Sequence, residues 1–201
     1  MQVVVLTNEG LKEELMNSVK TIDADVAWVE SLSQLEQYKN ADAVIDLIYD
    51  KSHQTALENL AAVIIINSVE QTLQETNSSF IRINGWKTFL RSPVIEASIA
   101  REENKLKAQA IFSFFNRKLE WVPDATGFIT PRIVSMIINE AFIALKEGVS
   151  TREEIDTAMK LGTNYPYGPF EWAEQIGVEK IKSLLERLSI QEERYASFVF
   201  I

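Results

Sequence analysis

The hydrophobic and polar positions of residues 1–100 alternate between short apolar runs and helical periods. Apolar runs rich in Val and Ile predict buried strands, and apolar residues that recur every three or four positions predict helices. The predicted strands cover residues 2–6, 25–30, 43–48, 62–66, 80–83 and 94–99. The predicted helices cover residues 10–20, 32–38 and 53–60. Strands that alternate with helices favour right-handed crossovers, so we expect an α/β fold with a mostly parallel sheet.

The pattern changes after residue 100. We predict one amphipathic helix over 102–115 and a short strand over 119–122, which ends at Pro123. No strand pattern follows Gly127, and the remaining predicted helices cover 128–146, 150–162, 170–175 and 179–188. We therefore place a domain boundary near Pro123, with an α/β domain over residues 1–122 and an all-α domain over residues 123–201.

Local signals define two of the helices in the second half. Ile129, Ile133 and Ile137 belong to a wide apolar stripe, which predicts that the helix over 128–146 is central and buried. Ser150 and Glu153 have the spacing of a capping box, so we expect them to begin the next helix. Gly162 is expected to end that helix.

The composition excludes several kinds of site. The 201 residues include no cysteine and one histidine, His53, so disulfides, thiolate zinc sites, iron–sulfur clusters and multi-histidine metal sites are excluded. We therefore predict no metal site. The chain begins without a secretory signal pattern, and its longest apolar run is far shorter than the ~20 residues of a membrane span, so a cytoplasmic protein without a membrane partner is expected.

The charge distribution bears on partners. The formal net charge is −9, and residues 1–100 hold 14 acidic and 7 basic side chains. Nucleic-acid binding needs a basic surface that neutralises phosphates. We therefore predict no nucleic-acid partner.

A series of motifs runs through the second half of the chain. They are Asp124-Ala-Thr-Gly-Phe-Ile-Thr-Pro-Arg-Ile, Asn139-Glu-Ala, Glu147-Gly-Val, Ile155-Asp-Thr-Ala-Met-Lys-Leu-Gly and Tyr167-Gly-Pro-Phe-Glu. In order and spacing they resemble the C-terminal domain of 3-hydroxyacyl-CoA dehydrogenases. The resemblance implies a Rossmann-like first domain, here reduced, and a helical second domain that often forms a homodimer. It also implies NAD as cofactor, acyl-CoA or a smaller acyl group as ligand, and oxidoreductase chemistry in fatty-acid metabolism.

The resemblance assigns two catalytic positions. Glu96 falls on the glutamate that orients the family's catalytic histidine, and Asn84, 12 residues earlier, falls on that histidine. Asparagine does not titrate near neutral pH, so Asn84 can bind a carbonyl group but cannot serve as the general acid or base. His53 is interpreted as a solvated helix residue.

The resemblance also locates the cofactor residues. Where a dinucleotide site has G-x-G-x-x-G, this sequence has Thr7-Asn-Glu-Gly-Leu-Lys, which contains Gly10 alone. Glu30 ends the second predicted strand, where an acidic residue would bind the ribose. Asn67 and Ser68 resemble the family's loop beside the nicotinamide. The sequence therefore predicts a degenerate NAD site.

Candidate substrate residues come from the same comparison. Pro131 replaces the asparagine of the family's G-F-x-x-N-R motif, and Thr130 beside it is the nearby hydroxyl. Arg82 and Lys87 are cations in an acidic half of the chain, where they either meet the phosphates of CoA or are ordinary surface charges. The helical hairpin that contributes to CoA binding in the family is absent between the second and third predicted strands.

Three functions remain open at this point. The first is a divergent family member that is impaired or inactive as a dehydrogenase. The second is an active oxidoreductase on a small acyl or hydroxy-acid substrate, using Asn84, Glu96 and Asn67. The third is a non-enzymatic oligomerisation or partner-binding module, in which the apolar tail Phe198-Val-Phe-Ile could dock on the chain's own core or on a second chain.

Overall fold

A computed structural model describes residues 1–19, 21, 23–60, 62–76 and 78–196. The chain divides into two compact units, residues 1–125 and 126–201, and each is considered by itself. The apolar tail over 198–201 lies outside the described residues, so the docking predicted for it stays a prediction.

The described part of the first unit is built on one seven-stranded sheet. Its strands are β1 Gln2–Leu6, β2 Asp25–Val29, β3 Ala43–Asp46, β4 Val63–Asn67, β5 Ile81–Ile83, β6 Val94–Ile99 and β7 Lys118–Trp121. The strand order is β2-β1-β3-β4-β5-β6-β7, and each neighbouring pair is parallel except β5 and β6. The predicted α/β class with a mostly parallel, Rossmann-like sheet is confirmed.

Five α-helices connect these strands within the described residues. They are α1 Glu9–Met16, α2 Leu32–Leu35, α3 Gln54–Glu58, α4 Leu73–Thr76 and α5 Lys105–Ser113. The helix predicted over 10–20 ends early because Ser18 adopts a positive φ of 64°. The helices predicted over 53–60 and 102–115 instead begin as 3-10 turns over Lys51–His53 and Glu102–Asn104. The short helix α4 was not predicted.

The central strands β1, β3 and β4 bury both of their faces, which explains their continuous apolar sequences. Val3, Val5 and Ile45 pack on one side of the sheet with Phe112 and Phe115. Residues of β1, β3 and β4 that point the opposite way pack on the other side of the sheet; they include Val4, Leu6, Val44, Ile64 and Ile66. The core of the first unit is therefore a helix–sheet–helix sandwich.

A buried arginine completes the C-terminal end of α1. The guanidinium of Arg117 donates to the carbonyl oxygens of Leu15 and Asn17, at 3.2 and 2.7 Å, and is 4% exposed. The last carbonyls of a helix have no partner within the helix and carry partial negative charge. Arg117 satisfies both requirements, although burial lowers its pKa.

The described part of the second unit is helical, as predicted. Its elements are α6 Thr130–Lys146, α7 Arg152–Thr163, α8 Pro169–Ile176, α9 Val178–Ser189 and a 3-10 turn over Glu193–Tyr195. α6 packs against α8 and α9. No helix in the described parts of the chain is long and apolar enough to cross a membrane.

The predicted capping box is displaced by one residue. Thr151 and Glu154, not Ser150 and Glu153, cap α7 reciprocally. The helix also continues through Gly162 and ends before Asn164, whose φ is 57°. Asparagine tolerates the left-handed conformation well enough to end a helix in place of glycine.

The apolar stripe predicted on α6 is only partly buried. Val134 and Ile138 are buried, whereas Ile129 and Ile133 are 53% and 54% exposed. The helix packs within its own unit through its other face, which also buries Ser135 and Asn139. Two isoleucines are thus left at the surface of the first helical turns.

The motif around Gly168 has a structural role. The backbone N–H of Phe170, in the first turn of α8, donates to Asp156 Oδ1 at 2.8 Å. A Cβ atom on Gly168 would overlap the Asp156 side chain. The glycine therefore lets α7 supply the cap of α8, because the carboxylate can approach the backbone closely.

Candidate functional site

The carboxyl ends of the parallel strands form the edge where a ligand is expected. β2 and β3 lie on opposite sides of β1, so the strand order reverses at β1. Open α/β sheets bind ligands in the crevice outside such a switch point. Polar residues lie at the ends of four strands: Asp46 and Asn67 end β3 and β4, and Asn8 and Asn84 lie just after β1 and β5.

Asn84 and Glu96, predicted as the catalytic pair, are in contact. Asn84 Nδ2 donates to Glu96 Oε2 at 3.2 Å, and the backbone N–H of Asn84 donates to the Glu96 carbonyl at 2.9 Å. Antiparallel pairing of β5 with β6 holds both residues, and Asn84 is 3% exposed. The pair can orient and hydrogen-bond a ligand, but an amide offers no proton transfer near neutral pH.

Asn67 joins two loops at this edge. Its Nδ2 donates to the carbonyl oxygens of Leu47 and Gly85, at 2.9 and 3.1 Å, and its Oδ1 accepts from Gly85 N–H at 3.0 Å. Ser68 is buried and donates to the Gln71 carbonyl at 3.0 Å. Both residues predicted to lie beside the nicotinamide therefore bind the chain's own backbone.

The turn between β1 and α1 is short and already capped. Asn8 Oδ1 accepts from the backbone N–H of Leu11 at 3.0 Å, and Glu9 lies in the first turn of the helix. Gly10 lies in the same turn, where a Cβ atom would meet only Asn8 Oδ1 at 3.6 Å. Gly10 is thus not required by a tight turn or by close packing. A diphosphate needs free backbone N–H groups at a helix N-terminus. Here the N–H of Leu11 is bound by Asn8, and the Glu9 carboxylate lies in the same turn.

Three other predicted residues are placed as follows. Glu30 is exposed directly after β2, the position predicted for a ribose contact. Lys87 is half-buried in the loop between β5 and β6. Thr130 is the first residue of α6, in the second unit, and is followed by the buried Pro131.

Arg82, predicted to meet substrate phosphates, is instead a buried structural cation. Its side chain is 0% exposed, and its guanidinium donates to the carbonyls of Gln71 and Ala125 at 2.7 and 2.6 Å. Its Nε lies 3.3 Å from Asp124 Oδ1. Burial lowers the pKa of Arg82 to about 10, opposed by the nearby Asp124 carboxylate. The guanidinium holds the backbone at the end of the first unit and is not presented to a ligand.

His53 also departs from its prediction as a solvated residue. Its Nδ1 lies 2.7 Å from Oδ2 of Asp46, and the two side chains are 17% and 0% exposed. Asp46 Oδ1 accepts from the backbone N–H of Ile48 at 3.1 Å. Burial raises the pKa of Asp46, an effect that the hydrogen bond from His53 opposes. The sequence signal for this pair is an acidic residue at the end of an otherwise apolar strand.

Sequence comparison shows which known proteins the chain is similar to. Residues 127–199 match the family model for the 3-hydroxyacyl-CoA dehydrogenase C-terminal domain. The 3-hydroxyadipyl-CoA dehydrogenase of Escherichia coli (strain K12) is 51% identical over 76 residues, which cover 37% of this chain and 16% of that protein. The 3-hydroxybutyryl-CoA dehydrogenase of Clostridioides difficile is 28% identical over 189 residues, covering 85% of this chain and 67% of that protein. The predicted resemblance to 3-hydroxyacyl-CoA dehydrogenases is confirmed, and it is strongest in the C-terminal part of the chain.

Structural comparison agrees on the fold. The (S)-3-hydroxybutyryl-CoA dehydrogenase PaaH1 from Ralstonia eutropha superposes with a TM-score of 0.72 at 20% identity, covering 98% of this chain and 90% of that one. At this level of identity the likeness concerns the fold alone. The chain therefore shares the architecture of that dehydrogenase, while its own site has to be judged on its own residues.

Proposed function

We propose that this protein is a divergent 3-hydroxyacyl-CoA dehydrogenase-like protein that binds an acyl group at Asn84 and Glu96 and is impaired or inactive in hydride transfer. The contact between Asn84 and Glu96 carries the proposal, because an amide stands beside the glutamate where the resemblance places the family's imidazole. The relatives are named for 3-hydroxyadipyl-CoA and 3-hydroxybutyryl-CoA, which supports an acyl-CoA or a smaller acyl compound as the ligand. The two compact units would then correspond to the Rossmann-like and C-terminal domains.

The magnitude of the expected defect follows from general acid–base catalysis. A positioned acid or base contributes about 10²–10⁴-fold to a rate. Asn84 can donate a hydrogen bond to a ligand carbonyl, and Glu96 can orient that amide, so binding would survive better than turnover. We therefore expect a site that recognises the acyl group more effectively than it converts it.

The residues of the first βα turn do not fit the diphosphate of NAD. Asn8 occupies the N-terminal amide of Leu11, Glu9 adds negative charge, and Gly10 lies where a side chain would be accommodated. We infer that NAD binding is weak, and we assign no step to it. A thermal-shift titration with NADH tests this inference, since a ligand held only by the folded state adds ~2.7 kcal/mol at 100 times its Kd. We expect no shift at millimolar NADH, and a clear shift would refute the inference.

The function is tested by restoring a titrating group. Asn84→His places an imidazole beside Glu96, and we expect binding of acetoacetyl-CoA to persist in the wild type and in this variant. Because weak NADH binding lowers the rates of both proteins alike, the variant should still reduce acetoacetyl-CoA at least about 10²-fold faster than the wild type at the same high NADH concentration. Asn84→His combined with Glu96→Gln is the matched control and should lose most of that gain. Absence of acetoacetyl-CoA binding by the wild type in calorimetry would refute the acyl-binding proposal.

A homodimer through the second unit is a further part of the proposal. Ile129, at the N-cap of α6, and Ile133, in its first turn, are half exposed, whereas the face with Val134 and Ile138 is buried. Contiguous apolar patches on a protein surface mark interaction sites, and we take these two isoleucines as part of such a patch. This observation also favours the alternative in which the second unit serves assembly without catalysis.

A further inference from the structure

A second polar group lies at the carboxyl edge of the sheet, apart from Asn84 and Glu96. Asp46 ends β3, pairs with Leu6 of β1 in register, and is 0% exposed. β3 and β6 are three strands apart in the sheet, which at about 4.8 Å per strand separates Asp46 from Glu96 by roughly 14 Å. Asp46 and Glu96 therefore lie too far apart along the edge of the sheet to belong to one site.

His53 is held by Asp46 in one orientation. The Nδ1–Oδ2 distance is 2.7 Å, and the other carboxylate oxygen is bound by Ile48 N–H at 3.1 Å. When Nδ1 carries the proton shared with Asp46, Nε2 is the ring atom that accepts a proton. The side chain of His53 keeps 17% exposure, so the ring is fixed at the surface of the unit and not enclosed by it.

Tyr49 completes the group. Its ring meets the His53 ring edge-on, with centroids 6.3 Å apart at 87°. Within the described residues its buried Oη has no hydrogen-bond partner. Burial raises the pKa of Tyr49, and the carboxylates of Asp46, Asp50 and Glu58 add to the effect. The hydroxyl is therefore a protonated group that a ligand or a water molecule could satisfy.

The surrounding charge restricts the ligand. The negative charges of Asp46, Asp50 and Glu58 all raise the pKa of the Tyr49 hydroxyl. The nearby cation Lys51 lies on the 3-10 turn that carries His53. An anionic ligand would be repelled by this field. A neutral ligand with a hydroxyl group, or an ester approached by a bound water, is compatible with it.

We propose that Asp46 and His53 form a general-base site at the carboxyl end of β3, which acts on a neutral hydroxyl-bearing or ester ligand. In ester hydrolysis, Nε2 takes a proton from water, the water oxygen bonds to the acyl carbon, and the bond to the alcohol oxygen breaks. The alcohol leaves with the proton returned from the imidazolium, whose charge Asp46 balances while it exists. The site uses neither Asn84, Glu96 nor a dinucleotide, so it stands or fails separately from the proposed function.

The lone histidine makes a direct test possible. Diethyl pyrocarbonate acylates imidazole with a signal near 240 nm, and in this chain that signal reports His53 alone. We expect the wild type to react readily and Asp46→Asn to react several-fold more slowly. Asp50→Asn removes a neighbouring carboxylate whose hydrogen bond comes from Ser52 N–H and not from the ring, and it should react close to the wild-type rate. Equal rates in the two variants, or a wild-type ring that does not react, would show that the pair is structural and overturn the proposal.

Two measurements keep the test independent of folding defects. Nitrogen NMR of the neutral wild-type imidazole should give the tautomer with the proton on Nδ1, and a proton on Nε2 would contradict the proposal. Hydrolysis of p-nitrophenyl acetate should fall on the order of 10²-fold in His53→Gln, the lower range for a general base. A His53→Gln variant with unchanged hydrolysis would likewise overturn the catalytic role.

Discussion

Asn67 and Gly85 bind each other in both directions across neighbouring strands. Asn67 Nδ2 donates to the Gly85 carbonyl at 3.1 Å, and Gly85 N–H donates to Asn67 Oδ1 at 3.0 Å. The close approach depends on the absence of a side chain, since a Cβ atom on Gly85 would lie 2.6 Å from Asn67 Cγ. This clamp holds the loop that begins with Asn84, and so it positions the candidate catalytic pair.

Gly85→Ala should therefore disturb the clamp. We expect it to lower the free energy of unfolding by about 1–3 kcal/mol, because an atom is forced into a packed site. Gly10→Ala is the matched control: it lies in α1 with room for a methyl group and should be neutral or stabilising by up to ~1 kcal/mol. Urea denaturation of both variants measures the difference, and equal stabilities would contradict the role assigned to the clamp.

Glu14 provides a second test of the scaffold. This carboxylate is 1% exposed, accepts from Arg91 Nε at 2.8 Å and from the backbone N–H of Thr88 at 3.0 Å, and also pairs with Arg91 Nη2. It thereby anchors the loop after Asn84, where Thr88 adopts a positive φ of 77°.

Glu14→Gln should destabilise the protein by roughly 1–3 kcal/mol, since a buried charged acceptor is lost while its donors remain. Glu13→Gln, on the neighbouring exposed carboxylate, should change stability by less than about 0.5 kcal/mol. Chemical denaturation at neutral pH separates the two, and a cost for Glu13 as large as that for Glu14 would be inconsistent with the buried anchor.

The second unit contains a pH-dependent contact. Lys160 Nζ lies 2.5 Å from Glu171 Oε1, and Glu171 also accepts from Gly168 N–H at 2.9 Å. The pKa of Glu171 is lowered from its ordinary value of 4.5, mainly by the hydrogen bond from Lys160. A lowered pKa in the folded state means a stabilisation that is complete above pH 4.5 and is lost as the pH falls through the folded value.

Glu171→Gln should accordingly cost stability at neutral pH and little under acid conditions. The pair is well exposed to solvent, so the loss at pH 7 should stay within about 1 kcal/mol. Thermal melts of the wild type and of Glu171→Gln between pH 2.5 and pH 7 test the expectation, with the exposed Glu174→Gln as control. A difference that grows as the pH falls would have the wrong sign and would contradict it.

The exposed isoleucines of α6 give a prediction about assembly. Ile133→Glu should dissociate a homodimer formed through this face, because a carboxylate cannot be desolvated there without a partner. Leu106→Glu is the matched control, since Leu106 is 86% exposed in the first unit and should not affect the dimer. Light scattering coupled to size exclusion gives the mass of each variant. A wild-type mass near 22.9 kDa would instead indicate a monomer and refute the dimer proposal.

The sequence alone determined the fold class and the resemblance to 3-hydroxyacyl-CoA dehydrogenases. Strands that are buried on both faces are apolar throughout. β1, β3 and β4 could therefore be predicted from their continuous runs rich in Val and Ile. The motifs from Gly127 to Phe170 carry the resemblance to the C-terminal domain. Two of their glycines are required by the local backbone: Gly127 has a positive φ, and Asp156 approaches Gly168 too closely for a side chain. The pairing of Asn84 with Glu96 followed from family spacing, and the geometry agrees with it.

Only the tertiary structure decided which charged residues are buried and with what partners. Arg82 was expected at the surface, yet it binds backbone carbonyls around Asp124. His53 was expected in solvent, yet it meets Asp46 at the end of β3. Glu14 and Arg91 are 77 residues apart in the chain and become neighbours through folding. Hydrophobic periodicity indicates which face of an element is buried. The partner of a buried charge lies on another element, and a local sequence pattern does not show which elements come together.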